Sequence, residues 1–239
     1  MTVQPSATFD GYDFVDFGCS SGGSMQFAQH KLGGSRGVGL DIDQNKVDAS
    51  RRAGFDAHVA DVTAIDANST GTVRFVTMMH FLEHLYTLEM AEKCIRSACS
   101  IADEFVFIRQ PFFDADDYLA EFGLRLYWSH WHGHRNHMTA ADFQRILEDL
   151  LSQGQIRRFI LFNRTKITDS DDPCVHPLSS PINQHQWEAG KHAPKDYHEF
   201  DTGVYREVGA IIQTRAPKLD EKPLRLLLSC EVFCDMACA

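Results

Sequence analysis

The chain has 239 residues, 44% hydrophobic and 23% charged, with a formal net charge of −10. That length suits one well-cored α/β domain with elaborations, not two full domains. The acidic balance argues against non-specific binding to nucleic acid or an anionic membrane surface, and no apolar run approaches the ~20 residues of a membrane helix.

Met1–Ser6 has neither the basic start nor the apolar core of a signal peptide, so a cytoplasmic location is expected. Seven cysteines, scattered through strand and helix patterns, fit reduced thiols better than a disulfide framework. Phe14, Val15 and Phe17 form a short apolar run that breaks at Gly18, with Gly22 and Gly23 close behind. Met25, Ala28 and Leu32 then recur at helical spacing. Strand, glycine turn, helix is how an α/β sheet builds a nucleotide pocket: glycine lets the backbone approach the ligand, and the helix start offers free N–H groups.

Arg36–Asp41 reads as the second strand, with Asp41 at its end, 23 residues after Gly18. An acidic side chain about 20 residues past such a turn binds a ribose hydroxyl pair. Asp43 reads as the N-cap of a helix over 44–53 that stops at Gly54. Phe55–Ala60 alternates as a third strand and ends at Asp61, which either meets a ligand or caps the turn at 62–64. Val73–Met79 is a fourth strand, apolar enough to be buried on both faces. A helix over 88–102, a fifth strand over 104–109 and a helix over 139–151 capped by Thr139 follow. Strands over 155–163 and 205–214 have no helical pattern between them, which predicts an antiparallel pair closing the sheet edge.

Between these elements lies Tyr127–His137, with Trp128, Trp131, His130, His132, His134 and His137. Imidazoles suit several metals, but the spacing matches no closed zinc pattern and no acidic or cysteine partner is near in sequence. No metal site is therefore expected; the segment reads as a lid whose tryptophans stack on a substrate. The polar stretch 169–201 reads as an excursion over the pocket or a disordered linker. Cys230, Cys234 and Cys238 are four apart and would share one helical face in a tail over 216–239, as buried small residues sooner than metal ligands.

Asp16-x-Gly18-x-Ser20-x-Gly22 resembles motif I of the class I S-adenosylmethionine-dependent methyltransferases, with serine at the middle glycine. Leu82-Glu83-His84-Leu85 resembles the segment that follows the fourth strand in that family, although Arg74 replaces the acidic residue that usually opens the strand. The resemblance implies a doubly wound, seven-stranded, mostly parallel sheet with an antiparallel closing strand. It implies S-adenosylmethionine as cofactor. Asp16 and the Gly18 bend, with Ser20 and Gly22, would hold the methionine end, and Asp41 the ribose. Asp61 would hold the adenine amino group and Ile42 would pack on the adenine face. Met79 and His80 would face the sulfonium. His80 and His134 are the candidates for a base at the acceptor. Residues 1–215 would form one domain with lid insertions at about 112–138 and 168–201. Residues 1–11 are too short for the helices that usually precede the first strand, so later segments cover the pocket or the cap is missing. Pro111-Phe-Phe113 follows the fifth strand, not the fourth, so it is not the Asn-Pro-Pro-aromatic box of enzymes that methylate nucleic-acid amino groups. The expected acceptor is a small molecule such as a sugar or secondary metabolite, with no nucleic acid and no membrane. Two alternatives stay open: a nicotinamide-dependent oxidoreductase, and a non-catalytic relative that only binds.

Overall fold

Apolar runs with few charges on either surface must be covered on both sides, and the chain does this by alternating strand and helix. The computed structural model describes residues 8–65 and 67–238; the signal-peptide reading of Met1–Ser6 lies outside them. The elements run β1 (Phe14–Phe17), α1 (Gly23–Lys31), β2 (Gly37–Asp41), α2 (Gln44–Arg52), β3 (Asp56–Val59), α3 (Ala67–Thr70) and β4 (Val73–Met79). Next come α4 (Leu88–Ile101), β5 (Ala102–Pro111), α5 (Asp116–Glu121), β6 (Leu124–Leu126) and α6 (Ala140–Ser152). The last are β7 (Arg158–Asp169), β8 (Val175–Pro177), β9 (Glu199–Gln213), α7 (Glu221–Leu226) and β10 (Cys230–Ala237).

The main sheet has the order β10-β7-β9-β5-β4-β1-β2-β3. The five strands from β3 to β5 are parallel. β9 inserts antiparallel between β5 and β7, the closing pair predicted from sequence. All seven predicted strands are present, and the tail adds an eighth, β10, antiparallel to β7. This corrects the helical reading of the tail cysteines: Cys230 and Cys234 lie in a strand, and Cys238 follows it. Four residues is an even spacing and suits either period, and Val232, a strand former, pairs with Phe162 on the margin of β7.

Two cores flank the sheet. On one face α1 and α2 cover Phe14, Phe75 and Phe105, whose rings stack at centroid separations of 5.1 and 4.7 Å. Gly37 makes room for that stack, since a Cβ there would lie 2.1 Å from the Phe14 ring. On the other face α4 and α6 bury apolar stripes, including Ile95 and Ala98 from α4 and Phe143 and Leu147 from α6. The Thr139–Asp142 capping box and the Asp43 cap form as the sequence predicts. The stretch 169–201 is the excursion: its β8 pairs with β6 in a small second sheet. Among the described residues, no helix is long and apolar enough to cross a membrane.

Arg74 is explained by its place at the N-terminal rim of the sheet, the end away from the glycine bend. Its guanidinium donates to Asp13 at 2.8 Å and to the Gly33 carbonyl at 2.8 Å, and lies 3.3 Å from Glu104 and 3.5 Å from Asp220. Asp220 caps α7, so one half-buried cation ties the tail to the base of three strands. Arg74→Met should therefore lower unfolding free energy by about 2 kcal/mol in urea melts, while ligand affinity at the opposite rim stays unchanged.

Candidate active site

The C-terminal ends of β1, β2 and β4 meet at the glycine bend. Gly18 donates its N–H to the Leu40 carbonyl at 2.8 Å, so the bend hangs from β2. Gly18 has φ +76°, and a Cβ there would lie 2.4 Å from Phe81. Gly22 has φ +98° and would strike Phe55 at 2.5 Å. Both positions therefore require glycine on conformational and on packing grounds. Ser20 takes the left-handed region at φ +47°, so the backbone bends as the middle glycine of the motif would bend it.

Asp41 holds this bend. Its Oδ2 accepts the Ser20 N–H and its Oδ1 the Asp43 N–H, each at 3.0 Å. The side chain is only 7% exposed, yet it lines a cleft of about 260 Å³ with Gly18, Ser20, Ile42 and Asp61. Ile42 is 76% exposed, an apolar side chain on the rim that no core contact accounts for. Asp61 does both things its position allows: Oδ1 accepts from the Thr63 N–H and hydroxyl, and the residue lines the cleft.

Past Gly18 a second cleft of about 410 Å³ is lined by Ser20, Ser24, Phe27, Met79, His80 and Arg109, among others. Asp16 and Gly22 line neither cleft. Asp16 is fully buried beneath the bend, where the Ser24 and Thr77 hydroxyls donate to its two oxygens, the latter at 2.6 Å. Gly22 is buried under Phe55.

A third cleft of about 640 Å³ lies under the lid and is lined by Trp128, Trp131, His134, His185, Arg206 and Glu207, among others. His80 borders all three clefts. It has φ +51°, and its Nε2 lies 2.9 Å from Glu207. Burial works against its charged form, but the hydrogen bond with Glu207 and the negative charge of Glu83 at 3.6 Å prevail and push the imidazole up to about 9. Glu207 resists burial through His80, Arg109 and Arg164, which hold it well below the usual carboxylate range. His134 is shifted the other way by burial, and its Nδ1 is hydrogen-bonded to the Trp128 carbonyl at 2.9 Å. Trp128 is itself core, donating to the Phe112 carbonyl, whereas Trp131 packs on His185 at 4.6 Å.

The four lid histidines do not converge. His130 meets Arg125, His137 lies against Asp116 and Phe113, and His132 is exposed. Sequence reading missed Arg164, Arg206 and Glu207, although a charged Arg-Glu pair opening an apolar strand is a signal of its own. Register places Arg164 opposite Glu207.

A family model described as a methyltransferase domain matches residues 5–150. Similar solved structures include a SAM-dependent methyltransferase from Archaeoglobus fulgidus, 15% identical, covering 86% of this chain and 88% of that one at a TM-score of 0.56. The YcgJ protein from Bacillus subtilis is 11% identical, covering 86% and 92% at 0.54. The magnesium protoporphyrin IX methyltransferase from Synechocystis PCC 6803, with bound SAH, is 14% identical, covering 85% and 75% at 0.49. No curated protein matches. At these identities the likeness to solved structures is one of fold.

Burial pushes Asp16 up to about 7 from 3.8, against the two hydroxyl hydrogen bonds that pull it down. A carboxyl raised on folding binds its proton more tightly when folded. Stability is therefore fullest below the unfolded value and erodes as pH rises from about 4 through about 7. Thermal melts should show Asp16→Asn gaining on the parent across that window and holding level above it.

Proposed function

This chain belongs to the methyltransferase-domain family, and we propose that it transfers the methyl group of S-adenosylmethionine to a small acceptor held under the lid. It has the fold and domain of the class I S-adenosylmethionine-dependent methyltransferases, and S-adenosylmethionine is its cofactor. The residues present fit that group. Asp41 ends an inner strand with lone pairs left over for a ribose hydroxyl pair. Asp61 lines the same cleft and engages only Oδ1 in its own turn, which leaves Oδ2 for an amino group. Ile42, exposed on the rim, offers an apolar face to a planar base. The methionine end would run past Gly18 and Ser20 into the cleft bordered by Met79. Asp16 acts from below, by fixing Ser24 at the helix start, as a positioning residue.

The cofactor supplies a methyl group already activated on a positively charged sulfur. What remains for the protein is to align an acceptor lone pair behind that methyl and to keep water out. His80 stands where the three clefts meet. With its ring pushed up to about 9, it holds a proton at neutral pH and orients Glu83 and Glu207 on either side. His134, shifted down by burial and with Nδ1 engaged, has Nε2 free to accept the acceptor's proton. Trp131 and Tyr127 wall an aromatic-lined cleft of about 640 Å³, dimensions that favour a small molecule over a polymer.

The observation that carries this reading is Asp41, nearly buried, bound to the bend beside Gly18 and still lining a cleft. Calorimetry should show S-adenosylhomocysteine binding to the parent and no binding of NAD. Asp41→Asn should weaken that binding about 10- to 100-fold. A folded parent that ignores S-adenosylhomocysteine, or that binds NAD, refutes the reading.

A further inference from the structure

Glu83 sits in the turn after β4 with its side chain 1% exposed. Neither carboxylate oxygen has a hydrogen-bond partner. Its one ion-pair partner among the described residues is His80, whose Nδ1 is 3.6 Å away and whose other nitrogen already serves Glu207. A buried carboxylate without hydrogen bonds is costly, so a native fold that keeps one calls for a further partner.

The backbone of the same residue gathers the rest of the site. The Glu83 carbonyl accepts the Arg135 and Asn136 N–H groups at 2.8 and 3.2 Å, and the Asn136 side chain donates to Leu82. These bonds draw one histidine of the lid, His134, back against the turn. One ligand atom each from Glu83, His84 and His134 then lies within 4.8 Å of the others. The two rings are held alike: His84 Nδ1 on the Gly133 carbonyl at 3.0 Å, His134 Nδ1 on the Trp128 carbonyl at 2.9 Å. A carbonyl can only accept, so each Nδ1 carries the proton and each Nε2 offers its lone pair. Imidazoles that ligate metals are oriented this way, by a carbonyl on the far nitrogen.

We propose that Glu83, His84 and His134 bind a divalent transition-metal ion in the lid cleft. Two imidazoles and one carboxylate select a first-row ion such as zinc, manganese, iron or cobalt over magnesium or calcium. Zinc-like geometry would draw the ligand atoms, which lie within 4.8 Å of one another, to about 3.4 Å. All three residues line the cleft assigned to the acceptor, so the ion would keep open positions facing it. Resting on the methyltransferase reading, this moves His134 Nε2 from base to ligand, leaves activation of the acceptor to the ion, and narrows the acceptor to a molecule that presents oxygen to the metal, such as a hydroxyl or a vicinal hydroxyl pair. The proposal departs from the sequence expectation of no metal site: the acid it uses lies 51 residues before His134 and is brought there by the fold.

The test uses the full chain, stripped with a chelator, with cobalt(II) as the probe because its visible absorption reports ligation. One cobalt per chain, a visible band and a higher Tm on loading are expected. Glu83→Gln and His134→Ala should each lose affinity at least about tenfold and lose the band. His132→Ala, at an exposed histidine of the same segment, should bind as the parent does. Glu83→Gln removes a buried charge, so without metal it should melt no lower than the parent. That keeps the result interpretable if His134→Ala fails to fold. A folded parent that takes up no cobalt, or takes it up equally as Glu83→Gln, overturns the site. S-adenosylhomocysteine titrations on the same samples separate the two readings. Cofactor binding without cobalt binding overturns only the metal site; cobalt binding without cofactor binding supports the site and removes the reading of its acceptor.

Discussion

The carboxylate of Asp41 fixes the geometry of everything around it. By accepting one N–H from the bend after β1 and one from the start of α2, it joins two crossovers of the sheet at a single side chain. A bend containing a serine in the left-handed region needs such an anchor, since that conformation costs of order 1 kcal/mol for a residue with a side chain. The same oxygens face a cleft, so the group that holds the bend is also the group that meets the ligand. Asp16 shares the task from beneath. Two carboxylates packed this close to one turn are tolerated because one is fully buried and favours its neutral form.

Much of this was legible in the sequence because it is local. Apolar runs named the strands, caps such as Asp43 and Thr139 named helix starts, and the interval from Gly18 to Asp41 named the ribose position. Leu82–Leu85 was legible as a segment, but not the fate of its side chains. What was hidden depends on pairing between distant strands. Arg164 meets Glu207 only through the antiparallel register of β7 and β9. His134 separates from its three neighbouring histidines only because the Glu83 carbonyl captures Arg135 and Asn136. The tail strand was hidden for another reason. Its residues are mostly exposed on both faces, so no burial period marks it, and cysteines four apart suit helix and strand alike.

The two departures from the family motif have different meanings. Ser20 sits in the site and keeps the required bend through its backbone, exposed where it lines two of the clefts. Arg74 sits at the far rim and belongs to the fold's base, where it gathers Asp13, Glu104 and Asp220. A motif read along the chain treats both as losses; the structure assigns one to conformation and the other to anchoring.

The anchored tail has a consequence of its own. With β10 seated on β7, the long hydrogen-bonding margin of β7 is spent internally. Were it bare, that margin would be a template for another chain's strand. The opposite margin, β3, is only four residues long and carries Asp56 and His58 outward, so it recruits poorly. β10 then becomes the margin itself, shorter than β7 and broken by a bulge after Val232, which blunts it as a template. Shortening the protein at that end would offer other chains the longer margin of β7 in its place.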